Sequence, residues 1–320
     1  MNRNRTITHS FRGISVGFHD FTILTNLNLD LYSNELVCLM GPNGSGKSTL
    51  LKTLAGLLPP VAGQIPIPDA KTQAIVLTGN IGNPMLRARE VVEMGRFPFT
   101  GWTGKLSKES EEIAKRSMLE TGTAELSGSR MGDLSDGQRQ LVMLARAFAQ
   151  QPDLLLLDEP TSHLDLNHRH AVMQILKRWV QSSPERCAIM TTHELDLALQ
   201  FADKLWVVDQ GGICRGIPED LVLNGTMDRV FSLKGFTLRT GKVIKTGSGQ
   251  PIRVSATAQT ESYALLWTKN ALERAGYSIS ENTGLPIEVR QEMEKFTWVV
   301  QDAEASTIGE LLEILAKSPD

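Results

Sequence analysis

Gly41 to Ser48 read GPNGSGKS, three glycines, a lysine and a hydroxyl at the spacing that wraps a polyphosphate. Glycine lets successive backbone N–H groups turn inward on phosphate oxygens, and the positive end of a following helix adds to the attraction. With Pro42, Asn43 and Ser45 completing the loop around Gly44 and Gly46, Lys47 is placed for the β- and γ-phosphates of a nucleotide. Ser48 is then the expected Mg²⁺ ligand through its hydroxyl, and Thr49 a further phosphate contact. A glycine turn that only joined a strand to a helix would need neither the lysine nor the hydroxyl.

A second group lies at LLLLDEP, where an apolar run ends in Asp158 and Glu159. Asp158 at the end of a buried strand would face the same Mg²⁺, through water. Glu159 beside it suits a general base, because activating water needs a carboxylate within hydrogen-bond reach of the nucleophile. CAIMTTH ends in His193, where a neighbouring strand would close on the same sheet edge and bring an imidazole near a γ-phosphate. By itself a histidine at a strand end is more often a cap or a packing residue; the two acids and the loop make the functional reading the favoured one.

These groups need elements to hold them. ILTNLNLDL alternates apolar and polar as a half-buried strand does, LVCLM suits a buried strand, and the loop feeds a helix carrying Leu50, Leu51, Leu54, Leu57 and Leu58, stopped by Pro59 and Pro60. Residues 85 to 131 read as mostly helical, part of an inserted helical subdomain over about 85–150. From Leu154 the α/β alternation resumes as LLLLD, HAVMQILKRWV, CAIMTTH, ELDLALQFA and KLWVVD. TGKVIKTGSGQPIRVS, rich in Gly, Ser and Thr, marks a joint that divides the chain into 1–250 and 251–320. Beyond it, YALLWTKNALERAGY and TIGELLEILAK have helical spacing while YSIS, IEVRQ and FTWVVQ read as strands, a small α+β extension.

Composition excludes several classes. A net charge of −3 with 22% charged residues gives no basic footprint for nucleic acid. The three cysteines are too scattered for a disulfide framework or a CxxC zinc pattern, which fits a reducing compartment. No apolar stretch reaches the roughly 20 residues that cross a bilayer, and the start lacks the apolar segment of a secretory signal. The histidines of HLDLNHRH, His163, His168 and His170, do not align three imidazoles on one helix face, so we read them as a solvated helix start rather than a metal site.

Taken in order, GPNGSGKST, LSDGQRQ, LLLLDEP, SHLD and TTHE resemble the ATP-binding-cassette ATPases over about residues 6–250. The resemblance implies a P-loop NTPase cassette of α/β class with a RecA-like core, an antiparallel β subdomain and the helical insertion. It implies ATP as substrate, Mg²⁺ as cofactor and a homodimer with two ATP sites at its interface. LSDGQ then matches the signature motif: Ser135, Gly137 and Gln138 would close in trans on the γ-phosphate held by the other copy. Without the resemblance the same stretch reads as a helix N-cap. Phe18 looks like the aromatic that stacks on adenine, against the ordinary alternative of a core phenylalanine, and Asp165 matches the loop coupling the two sites.

EVVEMGRFPF, DEPTSHLDL and the segment PEDLVLNGTMDRVF look like importers of iron-siderophores, haem and cobalamin. That resemblance implies an integral membrane permease as partner, a substrate-binding protein indirectly, no nucleic acid, and a peripheral place on the cytoplasmic face of the inner (plasma) membrane. An exporter subunit, or a soluble cassette acting on ribosome or DNA, is the alternative. Arg96, Phe97 and Pro98 would lie near the groove for a permease helix, or simply pack the helical subdomain. Two departures stand out. Asp136 replaces the usual signature glycine and is expected to point away from phosphate, and Thr78 falls where the family carries a metal-contacting glutamine, with Asn80 or Asn83 as possible substitutes. The extension from 256 carries no recognisable binding motif and suits dimerisation or packing, with a regulatory ligand as the alternative.

Overall fold

The computed structural model describes residues 6–18, 21–65, 69, 71–77, 83–102, 104–231, 236–237, 242–243, 251–256, 262–275, 277–280, 283–292, 295–301 and 303–317. Chain contacts gather into two compact units, Met1–Phe231 and Ser232–Asp320, each taken by itself below.

The first unit begins with two long strands, β1 (Ile7–Phe18) and β2 (Phe21–Tyr32), followed by β3 (Glu35–Met40), α1 (Lys47–Leu54), β4 (Ala62–Gln64) and β5 (Gln73–Val76). The helical insertion comprises α2 (Ala88–Glu93), a 3₁₀ turn over Met94–Phe99, α3 (Lys108–Glu120) and α4 (Asp136–Ala149). Alternation then gives β6 (Leu154–Leu157), α5 (Leu166–Gln181), β7 (Cys187–Thr191), α6 (Leu195–Phe201), β8 (Lys204–Asp209), β9 (Gly212–Gly216), α7 (Pro218–Leu223) and α8 (Thr226–Phe231).

The central sheet runs β5-β6-β7-β3-β8-β9, parallel except for the last pair. Every residue of β3, β6 and β7 is buried. Strands covered on both faces need continuous apolar runs rather than alternation, which is what LLLL supplies. Because β3, β7 and β6 are parallel neighbours, their carboxyl ends open on one edge. There the chain delivers Gly41, His193 and Asp158 together, as expected of ligand positions in open α/β sheets. A separate antiparallel sheet, β2-β1-β4, packs Ile14, Val16, Leu24 and Leu29 into the same core as Leu50 and Leu51 of α1.

α1 is shorter than its leucines suggest. It ends at Leu54, Gly56 turns the chain at φ 73, and Leu57 is exposed, so the stop comes from the glycine before either proline is reached. The insertion has its own core of Ala88, Val92, Met118, Met131 and Val142.

The second unit contains a small hairpin, β10 (Phe236–Thr237) with β11 (Lys242–Val243), then β12 (Pro251–Ala256), α9 (Ser262–Arg274), β13 (Ser278–Ile279), β14 (Leu285–Glu292), β15 (Lys295–Val300), β16 (Ala303–Ala305) and α10 (Ile308–Lys317). Its sheet runs β13-β12-β14-β15-β16, parallel around β12 and antiparallel beyond β14. Ile252, Leu272, Ile287, Val289, Trp298 and Leu311 form its core. The polar-looking PIRVS, read above as joint, is thus an interior strand of this sheet. Pro251 is tolerated because it takes the first position of the strand. Among the described residues no helix is long and apolar enough to cross a membrane.

Candidate nucleotide site

The loop after β3 is shaped by glycine where nothing else fits. Gly46, the N-cap of α1, has φ 95, and a Cβ there would lie 2.7 Å from Ile23 Cγ2. No side chain caps this helix. Its first N–H groups therefore stay available to an anion. Lys47 is buried, and its Nζ donates to the carbonyls of Gly41 and Pro42, both at 2.9 Å. Burial pulls its pKa below the ordinary lysine value, while the carboxylates of Glu159 and Asp158 push it back up. Ser45 contributes a buried Oγ with no hydrogen-bond partner, on the side of the loop facing Gly41.

From that loop a chain of contacts crosses the sheet edge. Ser48 Oγ donates to Asp158 Oδ1 at 2.8 Å, and Thr191 Oγ1 donates to the same oxygen at 2.8 Å. The backbone N–H of Glu159 donates to Thr191 Oγ1 at 2.8 Å, and His193 Nε2 meets Glu159 Oε1 at 2.6 Å. Glu159 has φ 48, an uncommon conformation for a side chain of its size, costing on the order of 1–3 kcal/mol. That turn sets the carboxylate toward His193 rather than along the strand. Ser48 and Asp158 supply adjacent hydroxyl and carboxylate oxygens, the hard donor set that suits Mg²⁺.

A 350 Å³ cavity is lined by Phe18, Ile23, Asn43, Lys47, Glu159 and His193, with Gly44, Gly46, Ser48 and Thr49 completing the wall. That volume lies within the roughly 300–1,000 Å³ typical of small-molecule sites. Phe18, at the end of β1, is half exposed, so it is not a core phenylalanine and its ring is free to take a flat ligand. Thr78 and Asn80 lie outside the described residues. Asn83 accepts from Met85 N at 2.9 Å through its side-chain oxygen, as a turn residue does.

The signature stretch opens α4. Ser135 is the N-cap: its Oγ accepts from Gln138 N at 3.3 Å, while Ser135 N donates to Gln138 Oε1 at 3.0 Å. Asp136 turns along its own helix and pairs with Arg139. Asp165 caps α5 by accepting from His168 N at 2.9 Å and bonds the His168 ring at 2.8 Å. These hydrogen bonds hold the Asp165 carboxyl below its usual pKa. Arg96 is buried, donates to Ala149 O and Gln151 Oε1, and lies 3.8 Å from the Phe99 ring centroid. It therefore packs the helical insertion, whereas Phe97 is exposed. His170 stacks edge-on against Phe201 and His168 is bound to Asp165, so the HLDLNHRH histidines diverge.

Sequence reasoning missed Thr191, whose hydroxyl links Asp158 to Glu159. Its signal was its place at the end of β7, the neighbour of β6, two residues before His193.

Comparison with known proteins gives the same picture. The family model described as ABC transporter matches residues 24–162, that described as Iron ABC transporter C-terminal domain matches 249–316, and an AAA-domain model matches 129–199. The chain is 32% identical over 232 residues to a Bacillus subtilis protein named as a probable siderophore transport system ATP-binding protein, spanning 69% of this chain and 84% of that one. It is 33% identical over 274 residues to the cobalamin import ATP-binding protein of Halobacterium salinarum, spanning 81% of this chain and 68% of the other. Among solved structures, an inward-facing ABC transporter assigned to the metal-chelate type superposes with a TM-score of 0.65 at 27% identity, covering 72% of this chain and 90% of that one. A dimeric ATP-binding cassette bound to ADP and Pi superposes with a TM-score of 0.57 at 25% identity, covering 65% and 98%.

Proposed function

Because this chain belongs to the ATP-binding proteins of ABC transporters, we propose that it is the motor subunit of an importer for an iron chelate or a related corrinoid, working as a homodimer on a membrane permease. It is an ATPase whose hydrolysis is coupled to transport. The iron-chelate reading is supported by the match of the second unit to the iron transporter C-terminal model and by the names of the relatives.

The observation that carries the mechanism is the unbroken contact series Ser48, Asp158, Thr191, Glu159, His193. In it, Lys47 leaves the loop carbonyls to meet the β- and γ-phosphates of ATP, and α1 offers its uncapped N–H groups to the same anion. Ser48 and Asp158 would hold Mg²⁺, which supplies charge neutralisation on the phosphates when bound. Glu159 accepts a proton from the attacking water, and His193 orients that carboxylate through their hydrogen bond. Ser135, Gly137 and Gln138 act on the ATP of the second copy, so hydrolysis follows closure of the dimer. Closure on ATP drives the permease, as expected where a ligand binds one conformation better than the other, and the dimer reopens after hydrolysis. Phe97, exposed on the helical insertion, would face the permease. The assembly sits peripherally at the cytoplasmic membrane face, with a substrate-binding protein delivering cargo from outside.

The test is capture. A Glu159→Gln variant with Mg-ATP, used as bait in detergent-solubilised membranes, is expected to retain a polytopic permease, and uptake assays on the recovered complex then compare ferric chelates with cobalamin. Recovery of ribosomes or DNA instead, or of a permease that transports only outward, would overturn the importer reading.

A further inference from the structure

The first turn of α5 touches both halves of the catalytic machinery. On one side, Asp165 binds the backbone and the ring of His168. The opposite edge of that ring lies against the signature helix: a Cβ placed on Gly137 would be 2.8 Å from His168 Cδ2 and 3.3 Å from its Nε2. The ring is 44% exposed, so it is not part of a core. On the other side, Arg169 Nε donates to Leu164 O at 2.6 Å, and its Nη1 pairs with Glu194 Oε1 at 3.0 Å. Glu194 follows His193 directly, is 16% exposed, and keeps Oε2 buried without a hydrogen-bond partner. Arg169 is thus the cation that compensates a nearly buried carboxylate at the base of the loop that carries His193.

We propose that His168 and Arg169 are positioning residues that form a strut: Arg169 fixes α5 to the loop carrying His193, and the His168 ring, locked by Asp165, sets the height of the Gly137 end of the signature helix. The strut makes the signature offered to one ATP depend on the state of the His193 loop at the other. This rests on the dimeric reading above. A side chain at Gly137 would have to displace the ring, and Arg169 suits its place because a forked guanidinium reaches a carbonyl and a carboxylate at once.

The test uses the full chain in the Glu159→Gln background, with ATP-driven dimerisation measured by sedimentation and single-chain ADP affinity measured by calorimetry. His168→Ala is expected to weaken dimerisation about tenfold or more while leaving ADP affinity unchanged, since displacing a group by even about 1 Å is enough to undo productive alignment. His168→Gln, which retains a donor for Asp165 and a planar group facing Gly137, is expected to recover part of the loss. Arg169→Lys should fall between the two. Unchanged ADP affinity shows that each variant is folded. Dimerisation of both His168→Ala and Arg169→Lys within about twofold of the parent would overturn the strut. A parent that does not dimerise with ATP would sink the dimer itself, an outcome visible before either residue is changed.

Discussion

Two helix N-termini in this chain are candidates for phosphate, and they are built in opposite ways. α1 starts at Gly46 with no side-chain cap and no acid in its first turn, and its first residue is a lysine. α4 starts at Ser135 with a closed capping box to Gln138 and an acid, Asp136, in its first turn. Both present the same dipole. The difference is that α1 has no side-chain cap at all, whereas α4 already engages its N-cap hydroxyl with the Gln138 N–H. A phosphate can bind α1 by simple addition, but at α4 it reaches the Ser135 hydroxyl and the Gln138 N–H only by opening the hydrogen bond between them. That contrast matches the proposed division, in which α1 holds ATP within one chain and α4 acts on the ATP of a second copy.

The largest effect comes from isolating occupancy from chemistry. Glu159→Gln keeps the shape beside His193 but removes the proton acceptor, and hydrolysis is expected to fall by about 10²–10⁴ while ATP binding persists. Single-turnover assays with radiolabelled ATP give both quantities. Persistent rapid turnover would mean that another group activates water. Next, Lys47→Ala should lower single-chain ATP affinity about 100-fold by calorimetry, because it removes a buried, charge-assisted contact from the end that has no other cap. If affinity barely changes, α1 is not the primary phosphate site and the comparison collapses.

Ser135→Ala sharpens the contrast. It opens the capping box, so thermal unfolding should shift by an amount corresponding to about 0.5–2 kcal/mol. Single-chain ATP affinity should remain within about twofold, yet dimeric hydrolysis should drop about tenfold, the signature of an interaction made only on closure. A loss of affinity in the isolated chain would place α4 in the cis site instead.

How much of this was legible in the sequence follows from what each feature depends on. The loop at Gly41 to Ser48 and the acids at the end of LLLLD could be read because strand, turn and helix are local, and because buried parallel strands announce themselves by unbroken apolar runs. Thr191 could not, since its role arises only when β7 pairs with β6 and brings its hydroxyl between Asp158 and Glu159. The HLDLNHRH stretch was read as a solvated helix start, and the half-exposed His168 ring agrees with that; its contact with Gly137, 31 residues away in sequence, does not show in any periodicity. β12 was hidden for another reason: PIRVS is polar and follows a Gly/Ser/Thr-rich run, and only the strands on either side make it interior. The end of α1 was misjudged because leucines continue past Gly56, and periodicity alone does not register a glycine at positive φ.

The smallest effect tests the acid at the start of the signature helix. Asp136 sits in the first turn of α4, where a negative charge complements the helix dipole but would repel a triphosphate if it faced one. The carboxylate instead pairs with Arg139 one turn on, and Arg139 also donates to Leu134 O at 2.7 Å, so the pair binds the acid back onto its own helix. Asp136→Gly removes an exposed ion pair, contributing about 0–1 kcal/mol, and one favourable dipole contact of about 0.3–1 kcal/mol. Unfolding should therefore move by about 1 kcal/mol, and dimeric ATPase rates should stay within about twofold of the parent. Because the capping box between Ser135 and Gln138 does not involve the Asp136 side chain, it survives the change. A rate change of about tenfold in either direction would mean that Asp136 faces the nucleotide after all, and that the two helix termini differ by charge rather than by occupancy.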